Sequence, residues 1–209
     1  MKKAVIFDMD GVLIDSEMFY FNRRMAFFAS IGIEPGTREF KNFIGLSDKG
    51  LWEFLVPDDE TKRKELKERY FNYRKKNSID FMKVLNKSAK YVITKLKSKD
   101  IKVAIASSSE KKEILRMVKE CELDQFIDFI ISGEECSESK PNPEIYNKAT
   151  KALGLSPKEV IAIEDSELGI AAAKAANIEV IALEQGYETI DQSEAKYIIK
   201  DLAELLDLM

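Results

Sequence analysis

VIFDMDGVLIDSE, residues 5–17, decides how the rest of this chain is read. Ala4, Val5, Ile6 and Phe7 form a continuous apolar run that stops at Asp8, with Asp10 just beyond. A strand apolar on both sides is buried on both faces, the habit of a central strand in a parallel sheet. On an extended strand residues i and i+2 point the same way, so Asp8 and Asp10 can share one site, unless the chain turns between them. Gly11 permits such a turn. Like charges so close repel, and the pair needs something to offset it. A calcium loop of the EF-hand kind does not fit, because Leu13 and Phe19 hold the places that need Gly and Glu.

Apolar runs rich in Val and Ile recur at residues 101–106, 127–131, 160–163 and 178–183, with a weaker one at 197–199. Helical spacing fills the gaps at 88–97, 111–120, 143–153 and 168–176. Alternating strands and helices predict a parallel α/β sheet with right-handed crossovers, whose ligands sit beyond the carboxyl ends of the strands. Residues 16–80 break the alternation, with helical patterns at 18–32, 37–43, 49–55 and 58–76 and no convincing strand. The expected organisation is an α/β core of residues 1–15 and 81–209, with an all-helical module of residues 16–80 inserted after the first strand.

The 209 residues suit one domain, or one domain carrying an insertion, and can bury a core without a staple. Cys121 and Cys136 are too few and too far apart for a disulfide or zinc framework. A net charge of −4 argues against nucleic acid as a partner. Lys2 and Lys3 precede an apolar run that Asp8 and Asp10 interrupt, and no long apolar stretch follows, so the expectation is a cytoplasmic protein with no membrane partner. The basic run at 61–76 reads as a solvated helix face compensated by Glu65 and Glu68. Phe19, Phe21, Phe27, Phe28, Phe40, Phe43, Trp52 and Phe54 read mostly as the inserted module's own core.

Three further segments carry polar residues to the same edge of the predicted sheet. The strand KVAIAS runs into Ser107, Ser108 and Ser109 ahead of a helix, where hydroxyls and free N–H groups suit a phosphate and Ser109 suits the helix cap. In SKPNPEIY, Pro143 suits the first helical position and Asn142 the cap before it, which leaves Lys140 in the loop just ahead. VIAIEDSELGI brings a strand to Glu164 and Asp165 just before another helix. Acids, hydroxyls and one lysine gathered there are consistent with Mg²⁺, a hard cation bridging carboxylates to a phosphate.

These four segments, in this order and spacing, resemble the haloacid dehalogenase superfamily, in its branch of capped phosphatases and β-phosphoglucomutase-like enzymes, over nearly the whole chain. The resemblance implies a Rossmann-like core and a helical cap domain. It also implies that Asp8 is the nucleophile forming an aspartyl-phosphate and Asp10 the general acid and base. Ser107 and Ser108 would bind phosphate, Lys140 would serve both catalysis and phosphate binding, and Asp8, Asp10 and Asp165 would hold Mg²⁺ with Glu164 behind them. The implied partner is a small phosphorylated metabolite such as a sugar phosphate, with hydrolysis the favoured reaction and a phosphomutase the alternative. The mutase branch carries a histidine where this chain has Tyr20, and an arginine near the place of Asp48; the chain has no histidine at all. A signalling receiver, which also accepts phosphate on an aspartate, places that residue after its third strand rather than its first.

Overall fold

The computed structural model describes residues 1–43, 48–186 and 190–209. Six strands, β1 Ala4–Phe7, β2 Lys102–Ser107, β3 Phe129–Ser132, β4 Val160–Glu164, β5 Glu179–Leu183 and β6 Tyr197–Ile199, form one parallel sheet in the order β3-β2-β1-β4-β5-β6. The helices are α1 Glu17–Ser30, α2 Asp48–Leu55, α3 Glu60–Lys76, α4 Phe81–Val84, α5 Ala89–Ser98, α6 Lys111–Glu120, α7 Glu144–Leu153 and α8 Glu167–Ala175. The apolar runs are strands because every residue of β1 and β4 is buried, so each serves two faces at once.

Side-chain alternation divides the core between those faces. Ile6, Ala104, Ala162 and Val180 pack with Ile145 and Ala149 of α7 and Ile170 and Ala173 of α8. Val5, Val103, Ile161 and Ile181 point the other way, and α5 lies along β2. The small residues Ala104 and Ala162 flank Ile6 in register, which lets α7 and α8 approach the sheet closely. Two strands are laid down on one side of β1 before the chain crosses to β4 on the other. The end of β1 is therefore the topological switch point, where an open α/β sheet leaves its crevice.

The chain divides into two compact units, Met1–Asp15 with Phe81–Met209, and Ser16–Asp80. Inside Ser16–Asp80, Phe27, Phe28, Phe43, Leu51, Trp52, Leu55, Leu66 and Tyr70 make one buried cluster. Phe27 meets Tyr70 edge-on at 5.3 Å and Trp52 meets Tyr70 at 5.7 Å, the arrangement aromatic quadrupoles favour. Phe54 differs from the rest of the aromatic set in being 51% exposed. The α1 helix stops two residues before Gly32, whose φ of +66° lets the Ile33 N–H bond back to Phe28 O. Helical spacing at 37–43 yields only a single tight turn, Phe40–Phe43. The basic face of α3 is exposed while Leu66 and Tyr70 are buried. Both cysteines are free, and no described helix is long and apolar enough to cross a membrane.

Candidate functional site

The carboxyl ends of β1, β2 and β4 present Asp8, Ser107 and Glu164 side by side. The register sets this, since Phe7 pairs with Ile105 and with Ile163. Asp8 extends the ladder by donating its N–H to Ile163 O at 2.9 Å. The chain then turns back on itself, and the N–H groups of Leu13 and Ile14 both bond to Met9 O. Gly11 makes the turn at φ +79°, and a Cβ there would lie 2.0 Å from Asp165 Oδ2. Glycine at 11 thus answers both the backbone angle and the close approach of a carboxylate.

Lys140 reaches this edge from the loop before α7. Its Nζ donates to Asp8 Oδ1 at 2.5 Å, Glu164 Oε1 at 2.6 Å and Ala106 O at 3.1 Å. The Lys140–Pro141 peptide bond is cis, and α7 starts at Glu144 with Pro143 at its cap. Glu164 is wholly buried, and Tyr146 of α7 donates to the same Oε1 at 2.5 Å. Ser166 Oγ approaches Glu164 Oε2 at 3.3 Å, and a Cβ on Gly169 would lie 2.0 Å from that oxygen. The glutamate is clamped by a lysine, a phenol and a hydroxyl, with α8 seated against it through a glycine.

Burial pushes the Asp8 carboxyl up to about 7, against the pull of Lys140 and with Glu164 and Asp10 adding to the rise. For Lys140, burial favours the neutral amine, but Asp8 and Glu164 outweigh it and hold the ammonium above its ordinary range. Burial, then Glu164, lifts the Tyr146 phenol well above its usual range, so it stays a donor.

Asp8, Glu164 and Asp165 each offer a carboxylate oxygen, and these oxygens lie within 4.8 Å of one another. Three acids against one lysine leave excess negative charge, and the donor set is all oxygen. That chemistry fits a hard divalent cation. Glu164 is already engaged on both oxygens, which sets it behind Asp8 and Asp165.

The serines divide their roles. Ser107 is buried, and its Oγ accepts the Ser109 N–H at 3.0 Å. Ser108 is exposed. Ser109 does not cap α6, because Glu110 occupies that place; its Oγ instead donates to Asp10 Oδ2 at 2.7 Å. Sequence reasoning missed this bond, together with Tyr146, Gly11 and Gly169 as neighbours of the acids. It also missed Gln192, whose amide donates to Asp165 O at 2.6 Å and Leu183 O at 2.8 Å. The spacing from Glu164 to Gly169 was the available signal: a glycine one turn into a helix that follows a buried acid. Tyr20 lies in α1, whereas the side chain of Asp48 falls outside the described residues.

A family model for haloacid dehalogenase-like hydrolases matches residues 5–183. The chain is 33% identical over 182 residues to a phosphorylated carbohydrates phosphatase of Thermotoga maritima, covering 86% of this chain and 83% of that one. It is 31% identical over 196 residues to a β-phosphoglucomutase of Bacillus subtilis, covering 88% and 84%. Its fold matches the crystal structure of β-phosphoglucomutase from Clostridium difficile with a TM-score of 0.76 at 24% identity, over 98% and 93% of the two chains. With its motif residues meeting at the end of β1 and the family pattern running from the first strand to the fifth, the chain belongs to the haloacid dehalogenase-like hydrolases.

Proposed function

We propose that this hydrolase is a magnesium-dependent phosphatase of a small phosphomonoester, a sugar phosphate or similar metabolite, acting through an aspartyl-phosphate on Asp8. The observation that carries the reading is the Lys140 ammonium held between Asp8 and Glu164, 2.5 and 2.6 Å away, beside Asp165 at the switch point of the sheet. The name of the Thermotoga maritima relative supports the substrate class.

In this mechanism a carboxylate oxygen of Asp8 attacks phosphorus and the bond to the leaving alkoxide breaks. Asp10 gives that alkoxide a proton, then takes one from the water that hydrolyses the acyl phosphate. Lys140 offsets charge on Asp8 and on the transferring group, while Glu164 and Tyr146 hold the ammonium in place. Ser107 Oγ already accepts from Ser109, which leaves its own proton for a phosphate oxygen, and Ser108 lies at the exposed mouth of the same loop. Asp8, the Asp10 main-chain oxygen and Asp165 would hold Mg²⁺, which when bound supplies positive charge for the entering phosphate and keeps Asp8 ionised.

The test is phosphate release from p-nitrophenyl phosphate with Mg²⁺. Wild type should turn over continuously, and Asp8→Asn should lose at least about 10³-fold with an unchanged circular dichroism spectrum. Sustained turnover by Asp8→Asn rejects the nucleophile, and one labelled equivalent per chain with no turnover points to a phospho-accepting switch. The second reading, a phosphomutase, is favoured by the likeness to the Bacillus subtilis enzyme. Tyr20 and the absence of any histidine weigh against it. Conversion of β-glucose 1-phosphate to the 6-phosphate would establish it.

A further inference from the structure

We infer that Ser109 is a positioning residue for Asp10, its hydroxyl holding the carboxylate in the attitude that passes a proton to the leaving group; this rests on the reading of Asp10 as the acid. The bond from Ser109 Oγ to Asp10 Oδ2 is 2.7 Å and joins residues 99 apart in sequence. Ser109 is itself held from both sides. Its N–H donates to Ser107 Oγ at 3.0 Å, and its carbonyl accepts from Ser132 Oγ at 2.6 Å. Ser107 and Ser132 end neighbouring strands and are paired in register, and both are buried. The rigid edge of the sheet therefore runs through two hydroxyls to Ser109, and through its hydroxyl to Asp10.

The arrangement gives a partly exposed carboxylate on a turn a fixed partner on a separate loop. The bond at Oδ2 fixes the rotation of the Asp10 carboxylate on its turn. A hydroxyl suits this task because it is neutral, and a lysine or arginine there would pair with Asp10 and hold its charge. The same serine also orders Ser107, so one residue coordinates the phosphate-binding hydroxyl and the acid.

The test compares kcat/KM for two substrates of similar shape, p-nitrophenyl phosphate, whose leaving group needs no proton, and benzyl phosphate, whose alkoxide does. Ser109→Ala should lose about tenfold more on benzyl phosphate than on p-nitrophenyl phosphate, and Ser109→Thr should restore the ratio. Asp10→Asn should show the same discrimination more strongly, and adding Ser109→Ala to it should not widen the ratio further. Equal losses on the two substrates in Ser109→Ala, with discrimination retained in Asp10→Asn, overturn the inference alone. Absence of discrimination in Asp10→Asn removes the acid and its positioning residue together.

Discussion

At the carboxyl edge of the sheet, Lys140 lies between two carboxylates with only 8% of its side chain exposed, whereas the interior of Ser16–Asp80 is made of rings and aliphatic chains. Both regions are buried, but they respond to change differently. Apolar packing is non-directional and tolerates swaps of similar volume, losing stability in proportion to the volume removed. A buried ion cluster costs desolvation and depends on every partner, so removing one charge strands the others. The first kind of burial makes a shape; the second makes a site.

Lys140→Met should break this contrast most severely. It leaves Asp8 and Glu164 facing each other in a buried edge, so phosphate release should vanish and stability should fall by about 3–5 kcal/mol in urea unfolding. Leu66→Ala, in the apolar cluster, should cost about 3 kcal/mol through the cavity alone. Trp52, the only tryptophan, lies in that cluster, so its fluorescence should report the loss.

A titration sharpens the comparison. The folded-state value of Asp8, about 7, stands above its ordinary 3.8, so the native protein binds this proton more tightly than the unfolded chain does. Asp8's favourable contribution is therefore complete below pH 3.8 and lost as pH rises through about 7. Lys140 is raised too, so its contribution persists until pH passes the ordinary lysine range. Metal-free wild type should lose a few degrees of melting temperature relative to Asp8→Asn between pH 5 and 7.5. Mg²⁺ should recover more of it at the upper pH than at the lower. The smallest effect is expected from Lys62→Glu with Lys64→Glu, on the exposed face of α3. Such a solvated face should leave kcat/KM for p-nitrophenyl phosphate within about twofold, and a larger fall would make the basic run part of substrate capture.

Much of the site was legible because its residues terminate strands. Asp8, Ser107 and Glu164 each follow an apolar run, and in a parallel sheet all such ends share one edge. What could not be read were contacts between segments distant in the chain. Ser109 reads in sequence as the cap of α6, and nothing local says that Glu110 takes that place while the Ser109 hydroxyl goes to Asp10. Tyr146 lies on the buried face of α7, and its phenol ends on Glu164. The spacing at 37–43 predicts a helix, but Phe40 and Phe43 pack their rings against Phe21 and only the turn Phe40–Phe43 forms.

The amino-acid sequence by itself determined the alternation of strands and helices, the inserted helical stretch and the residue types at each strand end, because hydropathy and its periodicity are local properties of the chain. Only the tertiary structure decided the strand order, the clamp on Glu164, the approach of Asp165 to Gly11 and the grip of Ser109 on Asp10. Those depend on which side chains meet across tens of residues, and hydrogen bonds and charge pairs act only at contact distance.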